Sequence, residues 1–206
     1  MWYPPNLSTI TASRSTIKHV AHRRPMTYAE FGVYCGSTAI EVAKLIPSFA
    51  TMLLFDYAGE RIDQACNSIQ RIRPDLKVQK FVSDPTKALD SYAWHLGKIM
   101  HRYTIDYAFF DGAHTWAIDG FSLLLVERML ADNAIVEFDD YDWTLRGSPT
   151  LSPDRFPQIR SLYTDGQIGD KQVKRIINTL VRRNPRYTEI EQNRVFAWDA
   201  ADPPTR

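Results

Sequence analysis

Short apolar runs alternate along this chain with stretches whose apolar residues recur every three or four positions. That alternation predicts a parallel β-sheet with helices packed on both faces. The first run, Thr27 to Phe31, leads into Gly32-Val-Tyr-Cys-Gly36 and then a helix from Ser37 to Ile46 that Pro47 stops. A second run, Thr51 to Phe55, ends at Asp56 and precedes a helix with Ile62, Cys66, Ile69 and Ile72 on one face, closed by Pro74. The third, Lys77 to Val82, gives way at Ser83-Asp84-Pro85 to a helical segment carrying Leu89, Tyr92, Ala93, Leu96 and Met100. The fourth, Ile105 to Phe110, ends at Asp111-Gly-Ala-His114 and is followed by an apolar helix from about Ala117 to Leu130. Asp132-Asn133 then reads as a turn, with Asn133 tolerating positive φ, before a fifth strand, Ala134 to Phe138, that ends in Asp139-Asp140. A last helix, Asp170 to Arg183, and two strands, Tyr187 to Gln192 and Val195 to Trp198, complete the pattern.

Between positions 141 and 169 the periodicity disappears and Pro, Ser, Gly and aromatic residues take over, which predicts a substrate loop or lid just past a strand end. Length fits one hydrophobic core, so the 206 residues divide into an N-terminal arm (1–26), a single α/β domain (27–199) and a tail (200–206). A net charge of +1 lacks the basic excess of nonspecific nucleic-acid binding, despite His22-Arg23-Arg24 and Arg182-Arg183, and so favours a small-molecule substrate. Cys35 and Cys66 show no metal or disulfide spacing, which suits reduced thiols in the cytoplasm. No secretory leader and no run of 18 apolar residues is visible, so neither export nor a membrane span is expected. Oligomeric state is not set by the sequence, and a homo-oligomer is compatible with it.

Open parallel α/β sheets bind ligands outside the carboxyl ends of their strands, near the point where strand order reverses. Here five successive strand ends carry chemistry: Glu30 with Gly32 and Gly36, then Asp56, Ser83-Asp84, Asp111 with His114, and Asp139-Asp140. The glycines let a cofactor approach the backbone closely. Their spacing lacks the third glycine of a dinucleotide fingerprint, which suits a cofactor without phosphate. Asp56 follows at the distance of a ribose-binding carboxylate. If the fourth and fifth strands end level, Asp111, Asp139 and Asp140 share one pocket, and a magnesium, calcium or manganese ion would relieve their repulsion. His114 is a general base beside that ion, a helix cap or a surface imidazole.

Together, Tyr28-Ala-Glu30-Phe-Gly32-Val-Tyr-Cys-Gly36-Ser37-Thr38, Asp106-Tyr-Ala-Phe-Phe-Asp111-Gly-Ala-His114-Thr-Trp116 and Val136-Glu-Phe-Asp139-Asp140-Tyr141 resemble the class I S-adenosylmethionine-dependent methyltransferases. The nearest branch is that of macrocin O-methyltransferase and related sugar O-methyltransferases. This resemblance implies a doubly wound, seven-stranded Rossmann-like sheet with an antiparallel last strand. It places Glu30, Gly32, Tyr34, Gly36 and Ser37 beside the methionine part of S-adenosylmethionine, Asp56 at the ribose and Ser83-Asp84 at the adenine. It makes Asp111, Asp139 and Asp140 ligands of a metal, most simply magnesium, with Asp111 also bordering the reacting groups. His114 stands where catechol O-methyltransferase has a lysine base. The chain departs from the family in having Ala131-Asp132-Asn133 for a Pro-Gly-Gly turn, Tyr57-Ala58-Gly59 after the ribose carboxylate, and Glu137 in a strand that is otherwise apolar.

The expected reaction is metal-assisted methylation of a hydroxyl on a sugar-like or natural-product acceptor, with His114 and Asp111 at the reacting centre. Trp116, Tyr141, Trp143 and Tyr163 are candidate walls for that acceptor or residues that pack the loop, Tyr163 chiefly the latter. Rival readings are a nicotinamide-dependent oxidoreductase, a cofactor-binding protein that acts on nucleic acid or protein, and a methyltransferase that has lost turnover.

Overall fold

Seven strands form one sheet in the order β3-β2-β1-β4-β5-β7-β6 in the computed structural model, which describes residues 11–87 and 89–200. The strands are β1 (Thr27–Phe31), β2 (Thr51–Asp56), β3 (Lys77–Val82), β4 (Ile105–Phe110), β5 (Leu130–Phe138), β6 (Tyr187–Glu191) and β7 (Val195–Trp198). β1 to β5 run parallel, and β7 lies antiparallel between β5 and β6. Strand order therefore reverses between β1 and β4, the point above which open parallel sheets bind their ligands.

Side chains alternate between two cores, as strands buried on both faces require. On one face Tyr28, Met52, Leu54, Tyr107, Phe109 and Ile135 meet helices α2 (Ser37–Leu45) and α3 (Gly59–Ile72). On the other, Phe31, Phe55, Phe110 and Phe138 meet α4 (Tyr92–Ile99), α5 (Phe121–Val126) and α8 (Gln172–Ile176). Phenylalanines stack across that second face from strand to strand. Phe81 and Phe55 have ring centroids 4.6 Å apart, Phe55 and Phe31 4.6 Å, Phe31 and Phe110 4.5 Å, and Phe110 and Phe138 5.2 Å. Each lies at or next to the last residue of its strand, so the ladder aligns five carboxyl ends at one level.

Several boundaries differ from the sequence pattern. The arm contains a helix, α1 (Arg14–Arg23), capped by Ser13, whose hydroxyl accepts the Thr16 N–H, and ended by Arg24 in a left-handed conformation. It buries only Thr16 and Val20, too few apolar positions to stand out as a periodic stripe. Residues 1–10 of the arm and 201–206 of the tail lie outside the described residues. The expected helix from 117 to 130 is a π-helical turn, Trp116–Gly120, running into α5 and ending at Val126. Leu130 already pairs with Ile105, and the register then jumps to Tyr107↔Ile135, so the expected turn at 132–133 is an irregularity inside β5. Asn133 has φ +60°, the conformation asked of it. α8 likewise passes into a π-helical turn, Ile177–Val181. The loop at 141–169 holds two short helices, α6 (Ile159–Leu162) and α7 (Asp165–Gly169), over a small core of Leu145, Ile159 and Ile168 that includes Tyr163 at its edge. Among the described residues no helix is long and apolar enough to cross a membrane.

Candidate functional site

The rim above β2, β1, β4 and β5 gathers the predicted residues onto one side of the sheet. Backbone bonds continue the ladder past the strand ends, from Gly32 N–H to Phe55, Asp111 N–H to Phe31, Asp139 N–H to Phe110 and Ser83 N–H to Asp56, all at 2.8–2.9 Å. Asp111 and the Asp139-Asp140 pair thus stand on neighbouring parallel strands.

The turn after β1 is organised by Asp56. Its carboxylate accepts the N–H of Tyr34 at 2.5 Å and of Ala58 at 2.7 Å, with the N–H groups of Tyr57 and Val33 also turned to it. Four amide donors match the capacity of one carboxylate. Burial raises the pKa of Asp56, and those amides pull it back. Asp56 thus holds the loop that carries Tyr34, itself at φ +51°.

The two glycines are required by the protein's own packing. A Cβ at Gly32 would lie 2.3 Å from the carbonyl oxygen of Asp111, and one at Gly36 would lie 2.4 Å from the Ala65 Cβ. Both have positive φ, +94° and +80°. Gly32 therefore admits the β4 strand end, and Gly36 admits α3 against the start of α2. Ser37 opens α2 and its hydroxyl lies 3.3 Å from the Cys35 sulfur.

Glu30 is buried on the Tyr28 face, where the Tyr28 hydroxyl donates to it at 2.6 Å. Desolvation pushes its pKa to about 8, so it is a neutral acid at pH 7. Ser83 is fully buried with its hydroxyl unpartnered, whereas Tyr34 is covered by the Arg61 guanidinium, 4.2 Å from its ring centroid. Unpaired buried groups of this kind at a rim mark places a polar ligand would satisfy. Asp84 is exposed and its carboxylate caps its own turn through Thr86.

At the ends of β4 and β5 the ligand atoms of Asp111, His114 and Asp140 lie within 4.8 Å of one another. Burial raises the Asp111 pKa well above the carboxylate range, with Asp139, Glu30 and Asp140 adding repulsion. Burial lowers the His114 pKa, against the opposing pull of Asp140, whose Oδ2 lies 3.4 Å from Nε2. Both His114 (φ +54°) and Asp140 (φ +59°) occupy left-handed backbone, conformations that cluster where geometry is imposed for function. Asp139, the third expected ligand, is outside that group and bonds to Arg194 at 2.7 Å. Trp143 stands beside the site with its ring 5.0 Å from that of His114. Tyr141 is pinned from behind by Arg182, which donates to its hydroxyl at 3.2 Å.

Sequence reading missed two residues here. Arg194, just before β7, binds Glu137 at 2.8 Å as well as Asp139, which explains the charge buried in β5. Asp119, in the π-helical turn, accepts the N–H groups of His114, Thr115 and Ala113, and burial lifts its pKa to about 7. Only Glu137, a charge inside an apolar run, signalled in advance that a cation had to arrive from elsewhere.

No protein-family profile matches the chain, and no curated protein does. Solved structures do. An O-methyltransferase from Bacillus cereus in complex with SAH is 13% identical, aligned over 94% of this chain and 84% of its own, with a TM-score of 0.63. TomG from Streptomyces achromogenes, an O-methyltransferase involved in tomaymycin synthesis and solved with SAM, is 13% identical over 95% and 84%, at 0.62. The SAH-bound methyltransferase PaMTH1 of Podospora anserina is 16% identical over 93% and 80%, at 0.60. The chain therefore has the seven-stranded Rossmann-like fold of these methyltransferases.

Proposed function

We propose that this protein is an S-adenosylmethionine-dependent O-methyltransferase that uses a divalent cation and acts on a hydroxyl of a small sugar-like or natural-product acceptor. The observation that carries the reading is the level rim, on which a glycine turn, an unpartnered Ser83 hydroxyl and the Asp111–His114–Asp140 group occupy the strand ends of a methyltransferase fold.

The chain's own residues support each part of the transfer. Asp56 holds the Val33–Tyr34 turn against which the methionine portion of the cofactor would lie. Glu30, neutral at pH 7, adds no charge beneath it. Ser83 offers its free hydroxyl to the adenine. The donor set fits a divalent ion, since two carboxylates and an imidazole, those of Asp111, Asp140 and His114, bring their ligand atoms within 4.8 Å of one another. Such an ion, magnesium in the simplest case, would acidify an acceptor hydroxyl and fix its oxygen. That oxygen would attack the sulfonium methyl in line, the carbon–sulfur bond breaking to leave a neutral thioether and the hydroxyl proton passing to His114 or to solvent water. Charge is neutralised in this step, so orientation and exclusion of water supply most of the acceleration. The 141–169 segment, with its own core, and Trp143 beside His114 would exclude that water. His114 is in reach of two roles, proton acceptor and metal ligand.

Thermal unfolding with S-adenosylmethionine and with NAD, each with magnesium or with chelator, tests the proposal. A ligand at a hundred times its Kd stabilises by about 2.7 kcal/mol. Stabilisation is expected with S-adenosylmethionine, and stabilisation by NAD alone would overturn the reading.

A further inference from the structure

Asp111, Asp139, Asp140 and His114 crowd the ends of β4 and β5, and one arginine reaches in among them. Arg194 donates from Nε to Glu137 at 2.8 Å, from Nη1 to Asp139 Oδ1 at 2.7 Å and from Nη2 to the Ser13 hydroxyl at 2.9 Å. The same Asp139 oxygen accepts the Asp140 N–H at 2.9 Å. Glu137 is fully buried and also accepts the Tyr107 hydroxyl, so the arginine cannot swing away without stranding a buried carboxylate. Asp139 is therefore held on the arginine side, while the atoms that converge within 4.8 Å belong to Asp111, His114 and Asp140.

We propose that Arg194 is a positioning residue that withholds Asp139 from the cation, leaving a site of two carboxylates and one imidazole that prefers a transition ion of the iron-to-zinc range over magnesium. The inference rests on the metal-dependent reading above and deepens it. Two carboxylates and a divalent ion sum to zero charge, whereas a third carboxylate would leave the site negative. An imidazole nitrogen suits iron, cobalt, nickel and zinc, while magnesium favours oxygen and water. A nitrogen that binds the ion has no lone pair left for a proton. His114 is on this account a ligand and not the base.

The test uses full-length protein stripped with chelator and titrated calorimetrically with Co2+ and with Mg2+. Co2+ is expected to bind about 100-fold or more tightly than Mg2+. The proton NMR spectrum of the Co2+ protein should show a strongly shifted, exchangeable imidazole N–H. In His114→Asn that resonance should vanish and Co2+ affinity fall about 10- to 100-fold, with Mg2+ affinity kept within a few fold. In Arg194→Gln the freed Asp139 should raise Mg2+ affinity and narrow the Co2+ preference. An absent imidazole resonance, or an equal Co2+ to Mg2+ ratio in wild type and His114→Asn, overturns the inference while leaving a metal enzyme standing. Failure of the native protein to bind either ion, with S-adenosylmethionine binding intact, overturns the metal-dependent reading itself.

Discussion

Asp56 accepts the backbone N–H of Tyr34 at 2.5 Å, a bond between the end of β2 and the turn after β1 across 22 residues of sequence. Its other oxygen takes the Ala58 N–H at 2.7 Å, so the turns after β1 and β2 share one carboxylate. Asp56→Ala would strand several amides at once, and each unmade bond costs about 1–3 kcal/mol where water is excluded. The expected result in cofactor-free protein is amide hydrogen exchange at Tyr34 and Ala58 at least about tenfold faster, together with weaker S-adenosylmethionine binding. Unchanged exchange at Tyr34 would show that Asp56 does not hold the turn.

Glu30 predicts how stability follows pH. Its folded pKa of about 8 is above the ordinary 4.5, so between those values the native state keeps a proton that the unfolded chain releases. Stability is then full below about pH 4.5 and declines as pH rises to about 8, at a limiting slope of about 1.4 kcal/mol per pH unit. Asp119, raised from 3.8 to about 7 by burial, acts with the same sign over its own window. Glu30→Gln keeps an acceptor for the Tyr28 hydroxyl and removes the titration. Denaturant melts of the variant and wild type at pH 5 and pH 8 should show the variant's relative gain growing with pH. A difference that does not change with pH would refute the neutral Glu30.

Much of the sheet could be read in advance because each strand ends in an apolar run stopped by a polar or glycine residue, and the phenylalanine at that point sits next to its neighbour's in space. Phe31, Phe55, Phe110 and Phe138 precede Gly32, Asp56, Asp111 and Asp139, so level strand ends were legible as a repeated local pattern. What the sequence concealed depends on long-range register. Gly32 is a glycine because of Asp111, 79 positions along the chain from it, and Glu137 is tolerated because β7 returns antiparallel with Arg194 at its start. Helix α1 escaped notice for a different reason, since two buried residues in ten leave almost no periodic signal. The division of labour among Asp111, Asp139 and Asp140 was hidden as well, because three aspartates look alike until one of them is seen paired.

The ladder itself makes a mechanical prediction. Phe110 is stacked between Phe31 at 4.5 Å and Phe138 at 5.2 Å, directly beneath Asp111. Phe110→Ala should cost about 3–5 kcal/mol through lost burial and the cavity left behind. Phe110→Leu keeps most of the volume and should cost less than about half of that, while both weaken cofactor binding by loosening the strand end. Chemical denaturation measures the first effect and calorimetric titration with S-adenosylmethionine the second. Cofactor affinity unaltered in Phe110→Ala would uncouple the ladder from the rim.

Arg194 and Glu137 allow a sharper test because their costs are not independent. Glu137 is fully buried, bonded to Arg194 at 2.8 Å and to the Tyr107 hydroxyl. Arg194→Met leaves that carboxylate in the core without a counter-charge, an arrangement that costs about 3–5 kcal/mol. Glu137→Gln leaves the arginine with Asp139 still paired at 2.7 Å and keeps an oxygen for Tyr107, so it should cost about 1–2 kcal/mol. If the pair were simply two additive surface charges, the double variant would sum the two losses. Burial predicts the opposite, because once Glu137 is neutral there is less to strand, and the double variant should be no less stable than Arg194→Met alone. Denaturant unfolding of the four proteins at pH 7 closes the cycle, and a coupling energy within error of zero would mean that Arg194 is not the counter-ion of the β5 strand.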